Sequence, residues 1–149
     1  PVLHRAERMK HLHERDIPAP AQDFGRFAAK LDDALNFIPS RLCALLMLAA
    51  AWLCRMDVKN ALRIWKRDRM KHASPNSAQT EAVAAGALCV RLAGNAYYFG
   101  QLYKKPYIGD DIRPIEAEDI RRSHKLLYVT AVLMLFLAII GRGAFYAAL

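Results

Sequence analysis

Between Phe24 and Ile38 apolar side chains recur at steps of three and four: Phe24, Phe27, Leu31, Leu35 and Ile38. That spacing puts them on one stripe of an α-helix, with Arg26, Lys30 and Asp33 elsewhere on the wheel. An amphipathic helix is therefore expected over 24–41, ended or kinked by Pro39. Leu42 to Cys54 follows as thirteen uncharged residues between Arg41 and Arg55. About 20 residues cross a bilayer comfortably, so a tilted or partly re-entrant span and a buried core helix both fit this run. The pattern then changes over 55–71: Val58, Ala61, Leu62 and Trp65 form a stripe opposite Lys59, Arg63, Lys66 and Arg67. A basic amphipathic helix of this kind can lie on an anionic membrane surface.

Glu116 to Lys125 is charged, with acids early and bases late, as the helix dipole favours. It runs without a break into Leu126 to Gly141, sixteen residues with no charge. With Arg142 able to reach the headgroups, 115–149 reads as a charged helix leading into a transmembrane one. Between these helices, Gly94 to Pro114 mixes tyrosines with glycines and prolines and reads as an aromatic loop. At the other end, 1–23 is polar: Val2 to Glu14 suits a helix, and Arg15 to Gln22, broken by Pro18 and Pro20, suits a linker. No internal repeat and no period-two strand pattern is present. The expected fold is all-α, a single membrane-associated helical domain over 1–149. Starting at Pro1, it reads as the C-terminal part of a longer chain.

Charge narrows the setting. The chain carries 22 Lys+Arg against 14 Asp+Glu, a net charge of +8. Such a surplus suits nucleic acid, a phosphorylated ligand or the inner face of a membrane. Seven of the bases fall within Arg55–Lys71, beside only Asp57 and Asp68, directly after an apolar run. That is the pattern of a cytoplasmic membrane flank. Cys43, Cys54 and Cys89 have no paired spacing and read as reduced thiols. His4, His11 and His13 lack a second ligand group at metal spacing and read as solvated surface residues.

The densest chemistry lies in 72–100. Ser74 before Pro75 reads as an N-cap followed by the first helical position. Free backbone N–H groups beside Asn76 and Ser77 would make a seat for a phosphate or carboxylate. Ala82, Ala84, Ala85, Gly86 and Ala87 leave little side chain on this helix, so another backbone can approach it closely. A capped, tightly packed helix with solvated polar ends accounts for the same residues. Asp32 and Asn36, four apart, share a helix face and can hold one ligand together; a solvated polar edge is the alternative. Asp110 and Asp111 are candidate cation ligands, against the commoner turn-forming aspartates.

His72 to Leu88, H-A-S-P-N-S-A-Q-T-E-A-V-A-A-G-A-L, resembles the signature of the adenosylcobinamide-phosphate synthases, the CobD/CbiB family. Three further stretches agree in order. Leu31 to Leu42, L-D-D-A-L-N-F-I-P-S-R-L, is similar to the family's L-D-D-x-x-N-x-I-P-A-R-L. Ala61 to Arg69 resembles its tryptophan-containing basic helix. Tyr98-Phe99-Gly100 and Lys105-Pro106-Tyr107-Ile108-Gly109-Asp110 resemble its Y-x-G and K-P-x-x-G-D elements. The chain departs from the family at Ala78, Cys89 and Ala93, where glycines are usual, and in the segment before Phe24.

The resemblance implies a multi-pass enzyme of the bacterial inner membrane whose active region is cytoplasmic. It would join adenosylcobyric acid, a corrinoid, to aminopropanol phosphate or ethanolamine phosphate through an amide bond. ATP and magnesium would be cosubstrates, with no metal centre of the protein's own. Membrane lipid and membrane proteins of cobalamin assembly would be its partners, and nucleic acid would not. His72, Asn76 and Glu81 are the catalytic candidates, His72 as the base for amine attack. Ser74, Ser77, Asp32, Asn36, Arg41, Arg91, Tyr98 and Lys105 are the substrate- and phosphate-binding candidates. Asp110 and Asp111 would hold the cation. Two other classes stay open: a membrane homologue without catalysis, in a signalling or structural role, and a nucleic-acid reader using the basic helix.

Overall fold

The computed structural model describes residues 19–72, 74–98 and 100–148, without the side chains of 19–26 and of Tyr98. The helix expected over Val2–Glu14, the histidines His4, His11 and His13, and the first part of the linker lie outside the described residues. The elements are α1 (Ala19–Leu35), α2 (Phe37–Leu53), α3 (Val58–Asp68), α4 (Ser77–Leu88), β1 (Leu92–Ala93), β2 (Ala96–Tyr98), β3 (Gln101–Tyr103), β4 (Tyr107–Ile108) and α5 (Glu118–Ala147).

The amphipathic helix starts earlier than its apolar stripe, at Ala19, so the end of the expected linker is already helical. Its axis breaks at Asn36, where 27–35 and 37–53 meet at 42°. The break has a sequence cause. The Pro39 ring would clash with the carbonyl of Leu35, four residues back, were the helix continuous. As the third residue of α2, Pro39 instead sits where a helix start leaves N–H groups unpaired anyway. The short apolar helix expected over 42–54 is thereby lengthened to Phe37–Leu53. Phe27, Leu31, Leu35 and Ile38 are all exposed, so nothing among the described residues covers the apolar stripe of α1.

The core is built on small residues. Ala44, Ala50 and Ala51 of α2 are fully buried with Ala61 of α3, Val83 and Ala87 of α4, and Leu126 of α5. α4 is enclosed on most sides: Ala78, Gln79, Ala82, Val83, Ala85, Gly86, Ala87 and Leu88 are buried. The close approach expected at its alanine-glycine run is made by α3. A Cβ on Gly86 would stand 2.5 Å from Ala61 Cα and 2.9 Å from Asn60 O. Asn60 Nδ2 donates to Gly86 O at 2.8 Å across this contact. Trp65 Nε1 donates to Gln79 Oε1 at 3.0 Å, fixing the start of α4 against α3.

Helices dominate, as expected, but the aromatic segment is not simply a loop. β2 and β3 form an antiparallel hairpin, Ala96 opposite Tyr103, and β1 pairs antiparallel with β4, Leu92 opposite Ile108. Strands of two or three residues are too short for period-two alternation to register in a sequence. The outer ladder is fastened to α3 at Gly109. Its φ of +86° suits glycine, and its N–H donates to the buried Asp68 Oδ2 at 2.8 Å.

α5 runs for 30 residues and is long and apolar enough to cross a bilayer. Only 11% of its most apolar stretch is buried by the rest of the chain. Leu126 and Thr130 pack inward, while Leu127, Tyr128, Leu135, Phe136, Ile139 and Ile140 are exposed. The bent pair α1–α2 passes the same length and composition test when taken as one broken span.

Candidate functional site

The L-D-D-x-x-N-x-I-P-S-R stretch and the S-P-N-S stretch meet at one junction, where α1 passes into α2 and the chain enters α4. Asp33 is its acidic centre. Asn76 Nδ2 donates to Asp33 O at 2.9 Å and to Asp33 Oδ1 at 3.3 Å. Ser74 Oγ donates to the same Oδ1 at 3.0 Å. On its other edge Asn76 Oδ1 accepts from Ser40 Oγ at 3.2 Å and from Arg41 Nη1 at 3.3 Å. Arg41 Nη1 also donates to Phe37 O at 2.7 Å, and its guanidinium stacks 3.4 Å above the Phe37 ring. Among the described residues its other two nitrogens make no hydrogen bond. Asp32 and Asn36 share a face as their spacing predicts, with Asn36 Nδ2 donating to Asp32 Oδ1 at 2.8 Å.

The helix start differs from the one the sequence predicts. Ser74 and Pro75 lie in a turn, and α4 begins at Ser77 with Asn76 at the N-cap position. Ser74 Oγ accepts weakly from Asn76 N at 3.4 Å and spends its proton on Asp33. Asn76 makes no side-chain cap, because its amide is committed to Asp33, and Asn36 at the start of α2 makes none either. The starts of α2 and α4 thus come together with their first N–H groups uncapped by these asparagines and Arg41 beside them. Two positive helix ends and a guanidinium next to two aspartates suit a ligand that carries both an anion and a cation.

His72 is exposed, and its Nδ1 accepts from Ser74 N at 3.1 Å. With Nδ1 accepting, the neutral ring carries its proton on Nε2. Glu81 is half-buried one turn beyond Ser77, on the same face of α4, and makes no hydrogen bond or ion pair among the described residues.

The remaining candidates lie elsewhere. Asp110 is held by Arg63 at 2.5 Å and Arg67 at 2.7 Å, and Asp111 by Arg91 at 2.8 Å. The two arginines keep the Asp110 carboxyl below the usual carboxylate range. These aspartates thus have guanidinium partners, and a metal at Asp110 would face two positive charges. The described residues contain no group of three or more His, Cys, Asp or Glu fit to hold a metal ion. Arg91 stacks 4.5 Å from the Tyr107 ring, and Lys105 is exposed between β3 and β4. Tyr98 belongs to β2, and its side chain is not described.

Sequence reasoning missed Ser40 as a partner of Asn76, and it placed Asp33 only as a polar residue off the apolar stripe. Both lie inside the L-D-D-x-x-N-x-I-P-S-R stretch. The signal was present, since Asp33 falls off the apolar stripe and Ser40 and Arg41 open α2. Its target was not, because 36 and 43 positions separate the partners.

The family model described as CobD/Cbib protein matches residues 18–127. The chain belongs to the CobD/Cbib family. The cobalamin biosynthesis protein CobD of Clostridium perfringens is 47% identical over 121 residues, covering 81% of this chain and 38% of that relative. The protein of the same name from Streptococcus sanguinis is 50% identical over 113 residues, 76% of this chain and 36% of the relative. The cobalamin biosynthesis protein CbiB of Salmonella typhimurium is 47% identical over 118 residues, 79% and 37% respectively. The matched part of this CobD/Cbib chain thus spans little more than a third of the length of these relatives. No solved structure matches it. The family match contains the whole junction of α1, α2 and α4 and ends just inside the apolar part of α5.

Proposed function

We propose that the chain is part of an inner-membrane adenosylcobinamide-phosphate synthase acting in cobalamin biosynthesis. It joins adenosylcobyric acid to aminopropanol phosphate or ethanolamine phosphate through an amide bond, with MgATP as cosubstrate. The names of its relatives support the pathway, and the junction of Asp33, Arg41 and Asn76 supports the chemistry. A carboxylate and a phosphorylated amine repel one another and must be held together. The starts of α2 and α4, with Arg41, offer the positive end of such a site. Asp32, Asp33 and Glu81 have the oxygen chemistry that suits magnesium delivered with ATP. Glu81, free of partners among the described residues, is the better base for the attacking amine. His72 suits donation from Nε2 to a phosphate oxygen.

The test is a reconstitution with full-length protein in detergent, given adenosylcobyric acid, aminopropanol phosphate and MgATP. The expected result is an amide product detected by mass and one nucleotide consumed per product. Folded protein that forms no product and consumes no nucleotide with either amine overturns the reading.

A further inference from the structure

Away from that junction, a cleft of about 480 Å³ opens where α2 ends and the apolar part of α5 begins. Arg55, Arg113, Arg122 and Lys125 line it, together with the apolar Met56 and Leu88. Arg113 and Arg122 are both bound to Asp119, and Arg113 also donates to Leu88 O at 2.7 Å. Glu116 lies 3.9 Å from Arg122. The side chains of Arg55 and Lys125 make no hydrogen bond or ion pair among the described residues. Four cations against these two acids and Asp57, whose Oδ2 lies 4.0 Å from the lining Cys89 Sγ, leave the cleft with a net positive charge.

Its position decides what these charges are for. Cys54 Sγ lies 4.0 Å from Lys125 O, so α2 reaches the cleft with its last turn and α5 leaves it with its first apolar one. The two helices pack on each other from this point through Ala51, Ala50 and Leu126 and therefore run antiparallel. Exposed apolar residues begin immediately beyond it, Trp52 and Leu53 on α2, Leu127 and Tyr128 on α5. A tryptophan and a tyrosine beside a ring of bases mark the level of lipid headgroups.

We propose that this cleft seats the phosphate of an anionic phospholipid. Arg55 and Lys125 pair with the phosphate, and the acyl chains follow the exposed face of α5. The cleft is shallow and open on one side, as a headgroup seat at a membrane surface would be. The proposal rests on α5 crossing a bilayer and not on ligase chemistry; release of the protein from membranes only by detergent tests that footing separately.

Full-length protein, delipidated in detergent and titrated with phosphatidylglycerol or phosphatidylcholine, is read by native mass spectrometry. Phosphatidylglycerol is expected to be retained at least about tenfold better. The double variant Arg55→Asn, Lys125→Gln is expected to lose that preference, at about fivefold per cation. Asparagine is chosen because residue 55 has a φ of +58°, which asparagine tolerates. The pair Arg55→Lys, Lys125→Arg should keep the preference, and so should Lys104→Gln outside the cleft. Two outcomes overturn the proposal. One is undiminished phosphatidylglycerol retention by the double variant, or an equal loss in Lys104→Gln. The other is displacement of the lipid by millimolar inorganic phosphate, which would make the cleft a seat for a soluble phosphate.

Discussion

Asn76 donates its side-chain amide to the backbone oxygen of Asp33 at 2.9 Å, joining residues 43 positions apart. Through this one side chain the bend between α1 and α2 is held against the start of α4. The amide is fully used: Nδ2 serves Asp33, and Oδ1 serves Ser40 and Arg41. Asn76 is thus a positioning residue of the candidate site and a structural one together.

Removing it should therefore affect stability as well as activity. Asn76→Ala leaves half-buried partners short of a hydrogen bond, at a cost of about 1–2 kcal/mol. Asn76→Asp should cost more, since it places a second carboxylate against Asp33. Thermal unfolding of the full-length protein in detergent measures both. A melting temperature unchanged in Asn76→Ala would mean that the junction is not held as described.

Gly86 is constrained by distance rather than by backbone angle. Its missing Cβ would stand 2.5 Å from Ala61 Cα, a backbone atom that cannot swing away. Even Gly86→Ala should force α3 from α4 and break the Asn60–Gly86 hydrogen bond, costing about 1–3 kcal/mol. Membrane accumulation and melting temperature should both fall, more so for Gly86→Leu. A normal yield of Gly86→Leu would show that the two helices are not in contact.

How much of this was legible in the chain follows from how local each feature is. The apolar stripe of 24–38, the basic helix, the alanine-glycine packing surface and the charge-to-apolar passage of α5 are local patterns, and all appear as helices. Pro39 announced the bend through a clash one turn away. The strands of 92–108 were hidden because two or three residues carry no period. The start of α4 was misplaced by two residues because Ser74, a good N-cap, found a better acceptor in Asp33. Asp110 looked like a cation ligand because its arginine partners lie more than 40 positions away. Fidelity was lost wherever a tertiary partner outbid a local preference.

Asp68 should make the fold acid-sensitive. Burial by itself would raise its pKa, but hydrogen bonds from Arg67, Lys71 and the N–H of Gly109 outweigh that and hold the carboxyl far below its usual range. A carboxyl whose folded pKa is depressed stabilises the protein above its unfolded pKa of about 4, and that stability is lost as pH falls below it. Melting temperature should thus be flat with respect to Asp68 from pH 7 to 5 and drop steeply below 4. Asp68→Asn should melt lower at neutral pH and show a shallower acid drop. Parallel curves for the two proteins over pH 3–7 would refute this role.

Orientation in the membrane is open to chemical labelling. The seven bases of Arg55–Lys71 favour the cytoplasmic side for α3 and the strands after it. Position 60 is unsuited to a probe because Asn60 is buried, whereas Lys59 and Lys104 are exposed. Lys59→Cys and Lys104→Cys, with the three native cysteines replaced by alanine, should resist an impermeant thiol reagent added to intact cells. Both should react after permeabilisation. Reaction of either in intact cells would invert the orientation.

Glu81 gives the cleanest separation of site from scaffold. Asn76 cannot do this, since its loss weakens the junction whatever its chemistry. Glu81 is half-buried on α4 and makes no hydrogen bond or ion pair among the described residues, so no contact described there is lost when it changes. Glu81→Gln keeps the size and hydrogen-bonding capacity of the side chain and removes only its charge and basicity. A substitution of that kind away from a structural contact shifts stability by roughly 0.5 kcal/mol or less. If Glu81 receives the amine's proton or meets magnesium brought with ATP, turnover should instead fall by about 100-fold or more. Accumulation and melting temperature should stay normal. Glu81→Asp, shorter by one methylene, should recover part of the activity and keep its dependence on magnesium. Full amide-forming activity in Glu81→Gln would remove Glu81 from the site and leave the carboxylates of the α1–α2 junction as the remaining candidates for its role.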